Sequence, residues 1–152
     1  MFGFEVPNCC GGTLQDNSPC ASWVEFFGQR RLGGVMAACE EAGVMDAGLR
    51  GLGERVGREV VARLLGAVEG VVPVLCHGDL WSGNKGRAVV GGVVEEVVWD
   101  ACTVWAHREY EHGIMEMFGG FGEGFWEEYW REVGGVEEPV KEGGARRRLY
   151  KL

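Results

Sequence analysis

The segment His77-Gly78-Asp79-Leu80-Trp81-Ser82-Gly83-Asn84 constrains the fold of this chain more than any other part of the sequence. It places a carboxylate at Asp79 and a carboxamide at Asn84, within a polar stretch that contains two glycines. Such a stretch is typical of an ordered loop. A further aspartate, Asp100, follows at the end of an apolar run. Because carboxylate and amide oxygens suit a hard divalent cation, the sequence predicts that the three side chains share one polar site.

A β-hairpin is expected between this loop and Asp100. The runs Ala88 to Val90 and Val93 to Trp99 are rich in valine, and Gly91-Gly92 separates them. Glycine pairs between β-rich runs indicate a tight hairpin turn, because such turns require positive φ. The predicted order is therefore a loop, a hairpin and an aspartate that ends the second strand.

Most of the remaining sequence is predicted to be helical. Apolar residues recur at helical spacing, and Ser22 with Glu25 has the form of a capping box before the first helix. Residues 1–20 are rich in turn formers and are expected to be a loop. The expected fold class is α+β, mostly helical, with residues 1–152 forming a single partial domain. The expected helices are residues 23–42, 54–68, 109–118, 122–133 and 145–152.

Glycine is unusually frequent in the chain. It accounts for 27 of the 152 residues, where roughly 7% is usual. A glycine inside a helix costs up to about 1 kcal/mol relative to alanine. The glycines outside the chemical motifs are therefore interpreted as substitutions at tolerant positions.

The charge of the chain limits its expected partners. Its 15 basic and 23 acidic residues give a formal net charge of -8 at pH 7, which argues against a nucleic-acid or anionic-membrane surface. The basic cluster Arg146-Arg147-Arg148 is too small to change this expectation. No segment approaches 18 uninterrupted apolar residues, so a membrane-spanning helix is not expected. The oligomeric state stays open.

Cysteine usage indicates a reducing compartment. The 6 cysteines show neither a C-x-x-C pair nor the spacing of a zinc site. The start of the chain lacks a basic region followed by an apolar run, so no secretory signal is expected. A cytoplasmic location is the expectation, with an organelle as the alternative if a targeting segment precedes Met1.

The spacing H-x-D-x-x-x-x-N is that of the catalytic loop in protein-kinase-like phosphotransferases. In this interpretation Asp79 orients the attacking hydroxyl and accepts its proton, Asn84 and Asp100 ligate Mg²⁺ beside ATP, and His77 positions the loop. From the residues alone, Asx-type caps in a Gly-rich turn and a zinc site are the alternatives. The histidines of that zinc site would be His77, His107 and His112, although their spacing does not favour it.

Further motifs accompany the loop along the chain. They are Cys9-Cys10-Gly11, Gln15-Asp16-Asn17, Trp23, Phe26, Arg31-Leu32, Asp100-Ala101-Cys102, His107-Arg108-Glu109-Tyr110-Glu111 and Glu116-Met117-Phe118-Gly119-Gly120-Phe121. Together with the loop they resemble the fructosamine kinase (ketosamine 3-kinase) family over nearly the whole chain. The resemblance implies a fold related to aminoglycoside and choline kinases, and ATP-dependent phosphorylation of the sugar 3-hydroxyl of ketosamines. These substrates are small or protein-bound Amadori products, and their unstable 3-phosphates decompose to free the amine, which links the family to protein deglycation.

The resemblance also implies roles for individual residues. Trp81 is expected to flank the acceptor sugar, since an aromatic face suits a sugar ring, with a buried loop anchor as the alternative. His107 and Glu109 are expected either to shape the acceptor side or to cap the helix after Asp100. The implied site is Asp79 and His77 for catalysis, Asn84 for ATP, Asn84 and Asp100 for Mg²⁺, and Trp81, His107 and Glu109 for substrate.

The chain departs from the family pattern in places. Ala101 follows the metal aspartate where the family usually has proline, and Val104 and Trp105 occupy two aromatic positions. No Gly-rich nucleotide loop and no strand lysine can be identified. The chain is therefore expected to be the C-terminal lobe of a kinase-like fold, without its N-terminal lobe and inactive alone. The rival hypotheses are another small-molecule kinase of the aminoglycoside or choline kinase type, and a non-catalytic truncated fragment.

Overall fold

Helices and short antiparallel strand pairs alternate along the chain in the computed structural model, which describes residues 1–135 and 139–152. This mixed composition confirms the expected combination of helix and sheet. Among the described residues, no helix combines the length and apolar character needed to cross a membrane. The strands are β1 (Asn8–Cys10), β2 (Thr13–Gln15), β3 (Val74–Cys76), β4 (Lys85–Val90), β5 (Val93–Val98) and β6 (Val104–Ala106). The helices are α1 (residues 23–41), α2 (residues 47–66), α3 (Glu109–Phe118), α4 (Glu123–Glu132) and α5 (Val140–Leu149).

The helices α1 and α2 begin at side-chain caps. The Ser22 hydroxyl accepts a hydrogen bond from the Glu25 N–H at 3.3 Å, as the capping box predicts. Helix α2 begins earlier than the predicted residue 54, because the Asp46 carboxylate caps it through the Leu49 N–H at 2.8 Å. Both helices contain a π-helical stretch, at Phe26–Leu32 in α1 and Val56–Val61 in α2.

The interpretation of the helical glycines holds at some positions and is wrong at others. A Cβ added at Gly34 or Gly51 would meet nothing within 4 Å, so these positions tolerate a side chain. Gly113 in α3 differs, because a Cβ there would lie 2.5 Å from the Tyr150 carbonyl oxygen. The close approach of α3 to the end of α5 therefore requires glycine at residue 113.

The first 20 residues contain strands, whereas the sequence predicted only a loop. Strands β1 and β2 form a hairpin, and isolated bridges join Phe2 to Cys20 and Gly3 to Trp105. The partner Trp105 is far away in sequence, so local turn composition could not indicate this pairing. The bridge from Gly3 attaches the start of the chain to β6.

Strand β3 pairs with β6, a strand that the sequence did not predict. The register is antiparallel, with Val74 opposite Ala106 and Cys76 opposite Val104. Both strands are three residues long, too short to produce a recognisable alternation. Their pairing brings the loop 77–84 next to the segment that follows Asp100.

The hairpin of β4 and β5 agrees with the prediction. Its register runs from Lys85 opposite Val98 to Val90 opposite Val93. Gly91 and Gly92 form the turn with φ values of 59° and 88°. Positive φ at both turn residues is the property that makes a glycine pair suitable here.

The core is organised around Trp23. Its ring contacts aromatic rings of the N-terminal segment, of α1 and α3, and of the residues just before α3 and just after α5, with centroid separations of 5.3 to 6.3 Å. The indole N–H donates to the Tyr150 hydroxyl at 2.8 Å, so its polar atom is satisfied inside the core. The buried apolar cluster consists of Phe2, Cys20, Trp23, Phe26, Phe27, Val61, Leu64, Leu65, Cys76, Val104, Ala106, Leu149 and Tyr150.

A fully buried ion pair joins α3 to α5. Arg146 donates to both carboxylate oxygens of Glu109, at 2.6 and 2.9 Å, and both side chains are 0% exposed. Arg146 also donates to the Pro139 carbonyl at 3.0 Å. Helix α5 starts directly after Pro139, earlier than the predicted residue 145, and continues to Leu149.

Arg146→Ala is expected to lower the free energy of unfolding by about 3–5 kcal/mol, because it leaves the Glu109 carboxylate buried without its guanidinium partner. Urea unfolding followed by circular dichroism measures this change. The matched control is Arg148→Ala, an exposed arginine on the same helix, with an expected change within about 0.5 kcal/mol. Equal effects of the two substitutions would contradict the role assigned to the buried pair.

Candidate active site

The loop 77–84 leaves β3 at Cys76 and enters β4 at Lys85. Its backbone folds back on itself, since the Trp81 N–H donates to the Asp79 carbonyl at 3.1 Å and the Asn84 N–H donates to the Trp81 carbonyl at 3.0 Å. These bonds are local, so the sequence of the loop itself favours the turn. They bring the two ends of the motif together.

Asp79 and Asn84 are in direct contact. The Asn84 amide nitrogen donates to the Asp79 carboxylate oxygen Oδ2 at 3.1 Å and to the Asp79 carbonyl at 2.9 Å. Asn84 is buried, with 6% of its surface exposed. Because the nitrogen end of the amide is bonded to Asp79, the oxygen end is the atom that Asn84 can offer to a cation.

His77 connects the loop to the backbone before Asp100. Its Nε2 lies 2.8 Å from the Trp99 carbonyl, and its Nδ1 accepts a hydrogen bond from the Asp79 N–H at 3.3 Å. The two contacts fix the orientation of the imidazole ring in the loop. The contacts fit the expectation that His77 positions the loop.

Asp100 interacts electrostatically with Asp79. Burial is the main cause that raises the pKa of Asp79 above its usual value, and the charge of Asp100 adds to this increase. The hydrogen bond from Asn84 and the proximity of His77 act in the opposite direction. Among the described non-glycine residues, Asp100 alone has a positive φ, at 58°. Aspartate tolerates this left-handed conformation better than most residues, so it suits the position.

Glu111 is a residue of this site that the sequence analysis did not single out. Its carboxylate accepts from the Gly78 N–H at 3.1 and 3.0 Å and from the Leu80 N–H at 3.1 Å. Glu111 lies on α3 and is 9% exposed. It therefore fixes the backbone on both sides of Asp79. Its place in the motif that runs from His107 was the one available signal.

Gly78 makes the tight packing of the loop possible. Its φ is 83°, and a Cβ at this residue would lie 2.1 Å from the Cys102 carbonyl oxygen. The loop and the segment after Asp100 are therefore in backbone contact. Cys76 lies directly before the loop. Burial, and then the charge of Glu111, raise the pKa of its thiol to about 12.

Trp81 is half-buried and packs against Phe118 of helix α3. Its ring is 5.2 Å from that of Phe118, with an interplanar angle of 50°. Behind the loop, a Cβ at Gly120 would lie 2.4 Å from the Ser82 Cβ. Trp81 is thus anchored on one side, and its contact with a substrate stays a prediction.

The structure places His107 and Glu109 in the core and not at a substrate surface. His107 is 1% exposed, with its Nδ1 at 2.7 Å from the Tyr150 hydroxyl. Glu109 is held by Arg146. Side chains this deeply buried and hydrogen-bonded cannot contact an acceptor sugar, so the substrate role expected for both is replaced by a structural one.

The zinc alternative finds no support. His77 contacts Trp99, His107 contacts Tyr150, and the buried His112 packs edge-on against Trp126, Tyr129 and Trp130 of α4. Within residues 1–135 and 139–152, no three side chains of the types His, Cys, Asp and Glu come together as a metal site. Asn84 donates to Asp79, and Asp100 affects the pKa of Asp79 through its charge, so these oxygen-bearing side chains lie near one another.

The comparison with known sequences identifies the family. A sequence model described as fructosamine kinase matches residues 1–152, so the chain belongs to the fructosamine kinase family. Ketosamine-3-kinase from Mus musculus is 32% identical over 159 residues, covering 100% of this chain and 46% of that protein. A protein named protein-ribulosamine 3-kinase, chloroplastic, from Arabidopsis thaliana is 35% identical over 155 residues, covering 99% of this chain and 43% of that protein. The chain thus spans less than half the length of these relatives.

Solved structures support the same fold. A protein assigned as a fructosamine-3-kinase from Thermobifida fusca YX-ER1 matches with a TM-score of 0.76 and 26% identity, over 99% of this chain and 49% of that chain. Another so assigned, from Haemophilus somnus 129PT, matches with a TM-score of 0.77 over 99% of this chain and 46% of that chain. Its identity of 24% supports the fold alone.

Glu111→Gln is expected to loosen the loop, because the amide keeps one acceptor oxygen but loses the negative charge that strengthens the hydrogen bonds from Gly78 and Leu80. The expected loss is about 1–3 kcal/mol in the free energy of unfolding, with faster amide hydrogen exchange at Gly78 and Leu80. Glu116→Gln is the matched control on the same helix, where the carboxylate forms surface pairs with Arg147 and Lys151. Unchanged exchange at the two loop amides in Glu111→Gln would show that Glu111 does not fix the loop.

Proposed function

We propose that residues 1–152 form the C-terminal, catalytic-loop lobe of an ATP-dependent kinase that phosphorylates the sugar 3-hydroxyl of ketosamines. The observation that carries the proposal is the bond from the Asn84 amide to the Asp79 carboxylate, in a loop that His77 ties to the residue before Asp100. Membership of the fructosamine kinase family supports the reaction class. The names of the mouse and Arabidopsis relatives support the substrate class.

Asp79 is the proposed catalytic base. Phosphoryl transfer to an alcohol has a loose transition state, so the carboxylate mainly orients the hydroxyl and takes its proton late. A pKa raised by burial makes the ionised Asp79 a stronger proton acceptor than an exposed aspartate. The Asn84 amide and the Glu111-bound backbone restrict where this carboxylate can point. His77 holds the loop and does not itself transfer a proton.

Asn84 and Asp100 are the residues that would hold Mg²⁺. Asn84 would contribute its amide oxygen and Asp100 its carboxylate, which are oxygen ligands of the kind this ion prefers. When bound, Mg²⁺ supplies positive charge that neutralises the phosphates of ATP. After burial, the charge of Asp100 also raises the Asp79 pKa, and a cation is favourable where two carboxylates interact in this way.

Trp81 is the proposed platform for the acceptor sugar. An indole anchored by Phe118 is a rigid apolar surface beside the base, which suits stacking against a sugar ring or a glycated amine. The substrate would be a small-molecule or protein-bound ketosamine, and breakdown of its 3-phosphate would release the amine and so deglycate the protein. We assign no nucleic-acid or membrane partner. The proposed location is a reducing one, the cytoplasm or an organelle.

The nucleotide-clamping part of such a kinase is not recognisable within these 152 residues. The sequence contains neither a Gly-rich phosphate loop nor a strand lysine of the kinase type, and both contribute to ATP binding in this class. Purified residues 1–152 mixed with Mg-ATP and a ribulosamine or fructosamine are therefore expected to show negligible phosphate transfer. Robust turnover by this chain alone would disprove the assignment to one lobe.

The activity itself is tested in a chimera in which the first half of the mouse relative precedes residues 1–152. We expect it to phosphorylate ribulosamines and fructosamines, as followed by ³¹P NMR. Asp79→Asn is expected to lower kcat by about 10²–10⁴-fold, because the general base is lost. Asp46→Asn is the matched control, since asparagine preserves the helix cap of α2 and activity should be unchanged.

A substrate panel separates the rival hypotheses. Transfer to an aminoglycoside, choline or homoserine in preference to a ketosamine would replace the substrate assignment. A folded chimera that binds Mg-ATP but transfers phosphate to none of these acceptors would favour the non-catalytic fragment.

A further inference from the structure

Cysteines from two distant segments meet beside the proposed active site. Cys9 and Cys10 lie on β1, and Cys102 follows Asp100. The Cys102 thiol donates to the Cys9 carbonyl across a sequence separation of 93 residues. Because Cys10 directly follows Cys9, this contact brings the Cys10 and Cys102 side chains close enough for each to affect the pKa of the other. The fold therefore places two thiols side by side that no C-x-x-C spacing would reveal.

The two thiols differ in access. Cys102 is 8% exposed, whereas Cys10 is half-buried. Cys10 also lines a cavity of about 300 Å³ that is bounded by Gly78, Phe27, Tyr110 and Phe118 among others. A small reagent that enters this cavity reaches Cys10 before it reaches Cys102.

The surrounding contacts fix the two segments relative to each other. The Asn8 amide donates to the Thr103 carbonyl at 2.9 Å, one residue beyond Cys102. The Cys102 carbonyl packs against Gly78 of the loop. The thiols are thus held together by their neighbours, so their effective concentration for each other is high.

We infer that Cys10 and Cys102, which are free thiols in this structure, form an intramolecular disulfide when an oxidant is present, a modification site that links β1 to the segment behind Asp100. This inference does not depend on the kinase activity. The oxidant is a small-molecule disulfide such as oxidised glutathione. The Cys10 thiolate attacks one glutathione sulfur, forms a mixed disulfide and releases one glutathione thiol. Cys102 then attacks the Cys10 sulfur and releases the second glutathione. Two protein thiols are oxidised and one glutathione disulfide is reduced to two thiols, which carry away both protons.

The disulfide is tested at equilibrium. Burial and the charge of Asp79 raise the pKa of Cys10, so little thiolate is present at neutral pH and the exchange is slow. The full 152-residue chain is incubated for hours in glutathione buffers of increasing oxidised fraction, quenched with acid, alkylated and mapped by mass spectrometry. We expect the Cys10–Cys102 peptide in at least roughly tenfold excess over any other cysteine pair, because the two thiols are preassembled.

Variants and a denatured control make the result specific. Cys10→Ser should abolish this crosslink, whereas Cys39→Ser, a half-buried cysteine of α1, and Cys9→Ser should preserve it. If Cys10→Ser does not fold, the wild-type protein is oxidised with and without urea. This comparison tests the inference, because the crosslink should form only in the native fold. The oxidised chain should also melt about 5–15 °C higher than the reduced chain, reversibly with dithiothreitol. Glutathione adducts without the crosslinked peptide, or equal crosslinking in urea, would overturn the inference.

Discussion

The carboxylate of Glu111 holds the loop 77–84 through the backbone N–H groups of Gly78 and Leu80. A buried N–H group needs an acceptor, and a loop offers few of its own. Glu111 supplies this acceptor from helix α3, so the backbone on both sides of Asp79 is attached to the body of the protein. The contacts of Asp79 with Asn84, and of His77 with Trp99, all start from a backbone fixed in this way.

The position of Glu111 depends in turn on the residues just before it. Within the motif His107 to Glu111, His107 bonds to Tyr150 and Glu109 binds Arg146 in the core. Arg108 donates to the carbonyls of Val133 and Gly135 at the end of α4, at 2.8 and 2.9 Å. The motif therefore secures α3 to α5, to α4 and to the loop. The motif belongs to the scaffold of the site. For this reason its histidine and acidic residues, which resemble catalytic residues in the sequence, are buried in the structure.

The same tight assembly concentrates reactive groups in a small region. Burial, then Cys10 and the charges of Asp79 and Asp100, raise the pKa of Cys102 to about 11. For the proposed phosphotransferase this arrangement suits a divalent cation between the acidic groups. It also brings β1 close to the segment after Asp100. Oxidation of the cysteines and binding of a cation by the aspartates would therefore involve the same backbone segment.

The sequence by itself determined the features that depend on local chemistry. The helix N-cap at Ser22, the glycine turn of the β4–β5 hairpin and the bounds of α3 follow from neighbouring residues, and all three agree with the structure. The identity of the family also followed from motifs read in order along the chain. The contact between Asp79 and Asn84 was foreseeable, because both residues belong to one short loop.

Only the tertiary structure decided which polar residues face the site and which are buried. His107 and Glu109 could not be assigned to the core without Tyr150 and Arg146, which come about 40 residues later and arrive through the packing of α5. Glu111, the pairing of β3 with β6 and the meeting of Cys10 with Cys102 likewise depend on contacts between distant segments. Local propensity carries no information about such contacts, because they form only when burial of the core brings the segments together.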